Sequence, residues 1–131
     1  MTEFNPTLGR AAVRRRALLA ACLLTVIVAL SVAPAADRPH TGAPGQLEHL
    51  VAYAGVAFLL TFGDPARRRM AWFATLVALS GALEIAQLFI PGRHAQVIDW
   101  LASSAGAGLG ALAAATAGTM LARKTRSRAA E

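Results

Sequence analysis

Four long apolar runs, parted by short connectors that hold nearly every charge, most constrain what this chain can become. The runs are Ala17–Ala33, Leu47–Phe62, Met70–Ile90 and Val97–Leu121. In a bilayer every backbone N–H and C=O must be satisfied inside the protein, so segments of this kind are read as helices. A hydrocarbon core of ~30 Å takes ~20 helical residues. The second run is short by that measure, the first qualifies with an extension to Ala36, and the third and fourth are of full spanning length. Hydrophobic residues make up 56% of the 131 positions and charged residues only 15%, too apolar and too charge-poor for a soluble domain of this length. The expected fold is all-α: a four-helix transmembrane bundle at 17–121, between a basic segment at 1–16 and a basic tail at 122–131.

The basic residues set an expected orientation. Arg10, Arg14, Arg15 and Arg16 precede the first run, Arg67, Arg68 and Arg69 separate the second from the third, and Arg123, Lys124, Arg126 and Arg128 follow the fourth. The other two connectors carry one each, Arg38 and Arg93. This alternation fits four spans with both termini in the cytoplasm. It also accounts for the net charge of +6 without a nucleic-acid partner, for which no fold signature or aromatic-interleaved basic stripe is present. A multi-pass protein of the cell membrane, with the lipid bilayer as its first partner, is the expectation.

The first run has a second reading. Three arginines, an apolar core and Ala33-Pro34-Ala35 also resemble a signal peptide with its cleavage site, although the length of the run favours an uncleaved helix. Cys22 lies inside this run as a small apolar residue, without the company a disulfide or metal site needs. Small residues predict the packing, because lipid gives helices no hydrophobic reason to associate. Ala74, Ala78, Ala82 and Ala86 form one stripe, and Ala102, Gly106, Gly110, Ala114 and Gly118 another. Trp72, Leu76, Leu79 and Leu83 are then assigned to lipid.

The polar residues of the runs collect at the outer boundary. Glu48, His49 and Tyr53 open the second run, with His49 and Tyr53 on one face. Ser80, Glu84 and Gln87 share a face near the end of the third. Arg93 and His94 follow the break at Pro91-Gly92, and Asp99 and Ser103 begin the fourth run. Ionisable groups within spans are costly and face an interior, a cavity or a partner. Glu48 and Asp99 also suit helix N-termini, and Arg93 can snorkel to headgroups. Glu84, two turns inside an apolar run, has Arg93 as its obvious charge partner, and a structural Glu84–Arg93 or Glu84–His49 pair would hold the bundle together. The candidate site is therefore His49, Tyr53, Glu84, Gln87, Arg93, Asp99 and Ser103. No metal-binding run, nucleophile motif or phosphate loop accompanies it, and no cofactor is expected.

The ordered set His49-x-x-x-Tyr53, Glu84-x-x-Gln87-x-x-x-Pro91-Gly92-Arg93 and Asp99 before a Gly-rich helix resembles the VanZ-like family of small bacterial membrane proteins. The resemblance covers about half the chain, from Gln46 to Leu112. Gly45 and Gln46 stand where the family has an acidic–basic pair, and Ser103 where it often has asparagine. The resemblance implies a cell-envelope role linked to resistance to the glycopeptide teicoplanin. Three functions remain open. One is a non-catalytic protein that binds a lipid-linked envelope precursor or glycopeptide ligand through Arg93, supported by Glu84 and Asp99. Another is an intramembrane enzyme on a lipid-linked substrate, with His49 as general base. The third is a small proton-coupled exporter, working as a homo-oligomer, with Glu84 as the protonatable group.

Overall fold

The computed structural model describes residues 6–34, 36 and 42–129, with side chains from residue 11 onward. It contains four helices, α1 (Pro6–Val32), α2 (Gly45–Thr61), α3 (Ala66–Gln87) and α4 (Val97–Ala129), and no strand among the described residues. Ala35 of the candidate cleavage site, Arg38 and Glu131 lie outside them. The helices extend past the apolar runs wherever arginine, lysine or alanine continues the chain, because these are strong helix formers. The basic N-terminal segment therefore belongs to α1 from Pro6 onward, and the basic tail extends α4 to Ala129.

Three helices, α1, α3 and α4, are long and apolar enough to cross a membrane. At 1.5 Å per residue the 17 residues of α2 rise only about 26 Å. Both α2 and α3 contact each of the other three helices, the α2–α4 contact being the most extensive, whereas α1 and α4 do not touch among the described residues. Tyr53, Val56 and Ala57 of α2 form the core with Leu76 and Ala107. Large apolar side chains project outward on α1, α3 and α4 and in the turn after α3, among them Leu18, Ile85, Phe89, Leu112 and Met120. Such a shell suits a lipid surround.

Cross-helix contacts give the directions. Asp99 meets Gln46, Ser103 meets His49, and Gly106 and Gly110 lie against Leu50 and Ala54. Numbers rise together along both helices, so α2 and α4 run parallel. Glu84 meets Gln96 and Val77 meets Trp100, so α3 and α4 are antiparallel. Arg16 reaches Phe62, at the far end of α2. The chain thus goes up, down, up and down.

The turns follow from glycine and proline. Gly63, just past the end of α2, has φ +79°, the left-handed conformation that closes helices. Ile90-Pro91-Gly92-Arg93 forms a turn in which the Arg93 N–H donates to the Ile90 carbonyl at 3.1 Å. Gly92 takes φ +72° there, the positive angle that the third residue of a type II turn requires.

One small-residue stripe packs as expected and the other does not. On α4, Gly106, Gly110 and Ala114 are buried, and a Cβ on either glycine would run into the backbone of α2. On α3, Ala74, Ala78 and Ala82 are exposed, while Leu76 and Leu83 turn inward with Ser80, Glu84 and Gln87. The buried face of α3 follows its polar residues, and its two inward leucines fill the space beside them. Gly81 meets Trp100 instead. The indole Nε1 donates to the Val77 carbonyl at 3.1 Å and lies 3.3 Å from where a Gly81 Cβ would stand.

A methyl group at Gly106 or Gly110 has no room without moving backbone. Gly106→Ala and Gly110→Ala are each expected to destabilise the detergent-solubilised protein by ~1–3 kcal/mol or more. Gly118→Ala, where nothing lies within 4 Å, should be neutral. Thermal unfolding followed by circular dichroism distinguishes them.

Candidate functional site

Three helix ends meet at one end of the bundle. The N-termini of α2 and α4 lie side by side, and the C-terminus of α3 comes up against them. Positive dipole ends favour acids in the first turns of α2 and α4, where Glu48 and Asp99 stand. Glu84 has no such support. It lies near the C-terminal end of α3 and is 8% exposed, a place where both the dipole and burial oppose a carboxylate. What holds it is the next element, because the Gln96 backbone N–H just before α4 donates to Glu84 Oε2 at 2.9 Å.

His49 of α2, Glu84 of α3 and Asp99 of α4 each bring a ligand atom within 4.8 Å of the other two. His49 Nε2 lies 3.8 Å from Asp99 Oδ2, too far for a hydrogen bond. Its Nδ1 faces Ser103 Oγ at 3.4 Å. Gln46 Nε2 donates to Asp99 Oδ1 at 3.0 Å. Tyr53, one turn below His49, is buried and within electrostatic reach of Glu84. Gln87, one turn beyond Glu84 on the same buried face of α3, is 3% exposed, and its Nε2 has no hydrogen-bond partner among the described residues.

The separated polar residues of the sequence thus converge, with one difference from expectation. Arg93, expected beside Glu84, reaches the end of α1. Its NH2 donates to the carbonyls of Leu30 and Ser31, at 3.0 and 2.9 Å, and so closes the C-terminal end of α1. His94 is exposed. The sequence reading also passed over Gln46, Gln96 and Trp100. Gln46 lies three residues before His49 and so on the same side of α2, which was a usable signal. A backbone N–H such as that of Gln96 carries none.

Chemically, the site is two carboxylates and an imidazole at a partly open edge, with His49 and Asp99 side chains 14% and 13% exposed. Ser103, His49 and Asp99 form a row that suggests a nucleophile, but Ser103 is 1% exposed. In this position its hydroxyl orients the imidazole. Glu84 also lines a cleft of about 240 Å³ with Ile85, Leu88, Val97 and Trp100, so an apolar approach leads from the lipid side to the carboxylate.

The opposite end carries a second polar set. Arg16 lies 5.3 Å from the Phe62 ring centre and donates to the Phe62 carbonyl, and Arg68 pairs with Asp64 at 3.6 Å. They border a cavity of about 540 Å³. It is larger than the cleft at Glu84, but it lacks the convergence of proton-accepting groups.

No protein-family model matches the chain, and no curated protein or solved structure matches it either.

Because Arg93 ties the α3–α4 turn to α1, Arg93→Ala should free the last turn of α1. Losing charge-assisted hydrogen bonds worth ~1.5–3 kcal/mol is expected to speed amide exchange near Leu30–Ala33. Exchange in the Gly106–Gly110 segment should stay unchanged. Hydrogen-exchange mass spectrometry in detergent reads both regions at once.

Proposed function

We propose that this is a multi-pass protein of the cytoplasmic membrane, of the VanZ-like type, with both termini in the cytoplasm. Its outward end engages the polar head of a cell-envelope ligand, a lipid-linked precursor or a glycopeptide, and so contributes to tolerance of teicoplanin. The observation that carries this reading is the meeting of His49, Glu84 and Asp99 within 4.8 Å at one rim of the bundle. The distribution of arginines supports the placement of that rim outside. The ordered motif from His49 to Asp99 supports the envelope role.

The position of the site bears on the other readings. Glu84 lies close to one end of its helix, whereas transporter sites lie near the midplane, so the exporter reading loses its main support. Acid–base chemistry on a lipid-linked substrate is favoured by the imidazole set between carboxylates. Turnover of a polyprenyl phosphate by the purified protein, lost in His49→Gln, is the observation that would establish it.

Two measurements test the main proposal. A reporter fused after Glu131 should be active only in its cytoplasmic form; an extracytoplasmic signal would overturn the orientation. Expression of the chain in a glycopeptide-sensitive host should raise teicoplanin tolerance, and Glu84→Gln or Asp99→Asn should abolish the gain at equal protein level. Unchanged tolerance in both variants would overturn the envelope role.

A further inference from the structure

We infer that His49, Glu84 and Asp99 hold one divalent transition-metal ion of the zinc class, with an open coordination position toward the membrane boundary. This deepens the same site and rests on its being a binding site.

The geometry is that of ligands waiting on a shared centre. Two ligands of a tetrahedral ion at ~2.1 Å stand roughly 3.4 Å apart. His49 Nε2 and Asp99 Oδ2, at 3.8 Å, need to close by only a few tenths of an ångström. Glu84 completes a set within 4.8 Å. One imidazole and two carboxylates suit zinc and its neighbours better than calcium or magnesium, which prefer oxygen alone.

Each of the three also has a partner on its far side, as metal ligands do. Ser103 meets His49 Nδ1, which leaves Nε2 toward the carboxylates. Gln46 holds Asp99 Oδ1 and leaves Oδ2 toward His49. The Gln96 N–H holds Glu84 Oε2. Helices α2, α3 and α4 thus each supply one oriented donor.

Charge and hydrogen bonding point the same way. Two carboxylates gathered at a partly buried edge repel one another and any anionic ligand. A divalent cation cancels that charge and turns the site into one that accepts an anionic oxygen donor, the phosphate or carboxylate of an envelope head group. Gln87 supplies the independent sign of a missing partner. Its buried Nε2 lacks an acceptor one turn from Glu84, and the oxygen of a metal-bound water or ligand would provide one. Three protein ligands and an open fourth position are the arrangement of zinc sites that bind a further ligand.

The test uses the full-length protein, purified without a residual affinity tag in mild detergent, stripped with chelator and titrated with Zn²⁺ alone. One equivalent should bind per chain, and Ca²⁺ in excess should not displace it. Glu84→Gln and Asp99→Asn keep side-chain volume, and each should weaken binding by at least the ~10–100-fold that loss of an outer partner costs. Should neither variant stay helical and monodisperse, the absorption spectrum of Co²⁺ bound to the unaltered chain decides. Nitrogen–oxygen ligation supports the site, and a thiolate charge-transfer band, which would place the ion at Cys22, overturns it. Failure of the unaltered chain to retain zinc, or unchanged affinity in the folded variants, overturns it too. The two proposals fail separately. Stoichiometric zinc without any effect on teicoplanin tolerance removes the envelope role alone. Tolerance that depends on Glu84 in a chain that binds no zinc removes the metal alone.

Discussion

The close approach of α2 and α4 is the contact on which the rest of the structure depends. Gly106 and Gly110 present bare backbone to the carbonyls of Leu50 and Ala54, one helical turn apart on each side. In lipid there is no apolar driving force to hold two apolar helices together, and close packing takes its place. Because the two helices are parallel and in register, this contact fixes more than a distance. It sets Asp99 beside Gln46 and Ser103 beside His49 one to two turns above. The site is assembled by the same register that packs the core.

The third member enters by a different device. α3 runs antiparallel, and its carboxylate arrives at the end of a helix whose dipole disfavours it. The type II turn at Pro91-Gly92 folds the chain back within a few residues, so the N–H of Gln96 meets Glu84 as α4 begins. Trp100 then lies over Gly81 and donates to Val77, which secures α3 against α4 one turn further down. A carboxylate held against burial and dipole by a backbone donor is a feature that packing alone does not call for. It marks Glu84 as the residue whose placement the local fold serves.

Much of this was legible in the residues. Apolar length gave the helices, the G-x-x-x-G of α4 gave a packing face, and Glu84, Gln87 and Ser80 gave the inward side of α3. The alanine stripe of α3 misled because alanine is equally at home against lipid. Spacing alone cannot distinguish a small residue chosen for contact from one that is merely tolerated. Arg93 misled because the cation was paired with Glu84, when the carbonyls ending α1 were acceptors too. The three-ligand cluster was not visible as a metal motif because His49, Glu84 and Asp99 come from three different helices. Only the parallel register and the tight α3–α4 turn bring them together.

The placement of α1 completes the physical account. It touches α2 and α3 but not α4, and among its described side chains only Ala20 and Ser31 are buried. Packing therefore holds α1 lightly, and two arginines fasten it, one from within the helix and one at its C-terminal end: Arg16 reaches the Phe62 carbonyl, and the Leu30 and Ser31 carbonyls receive Arg93. Both contacts use a guanidinium on a backbone carbonyl that a helix end leaves unpaired, which in a low-dielectric surround is a strong interaction. At the C-terminal end of α1, Arg93 comes from the same α3–α4 connection that brings the Gln96 N–H to Glu84, so the helix with the fewest buried side chains is tied to the segment that seats the carboxylate.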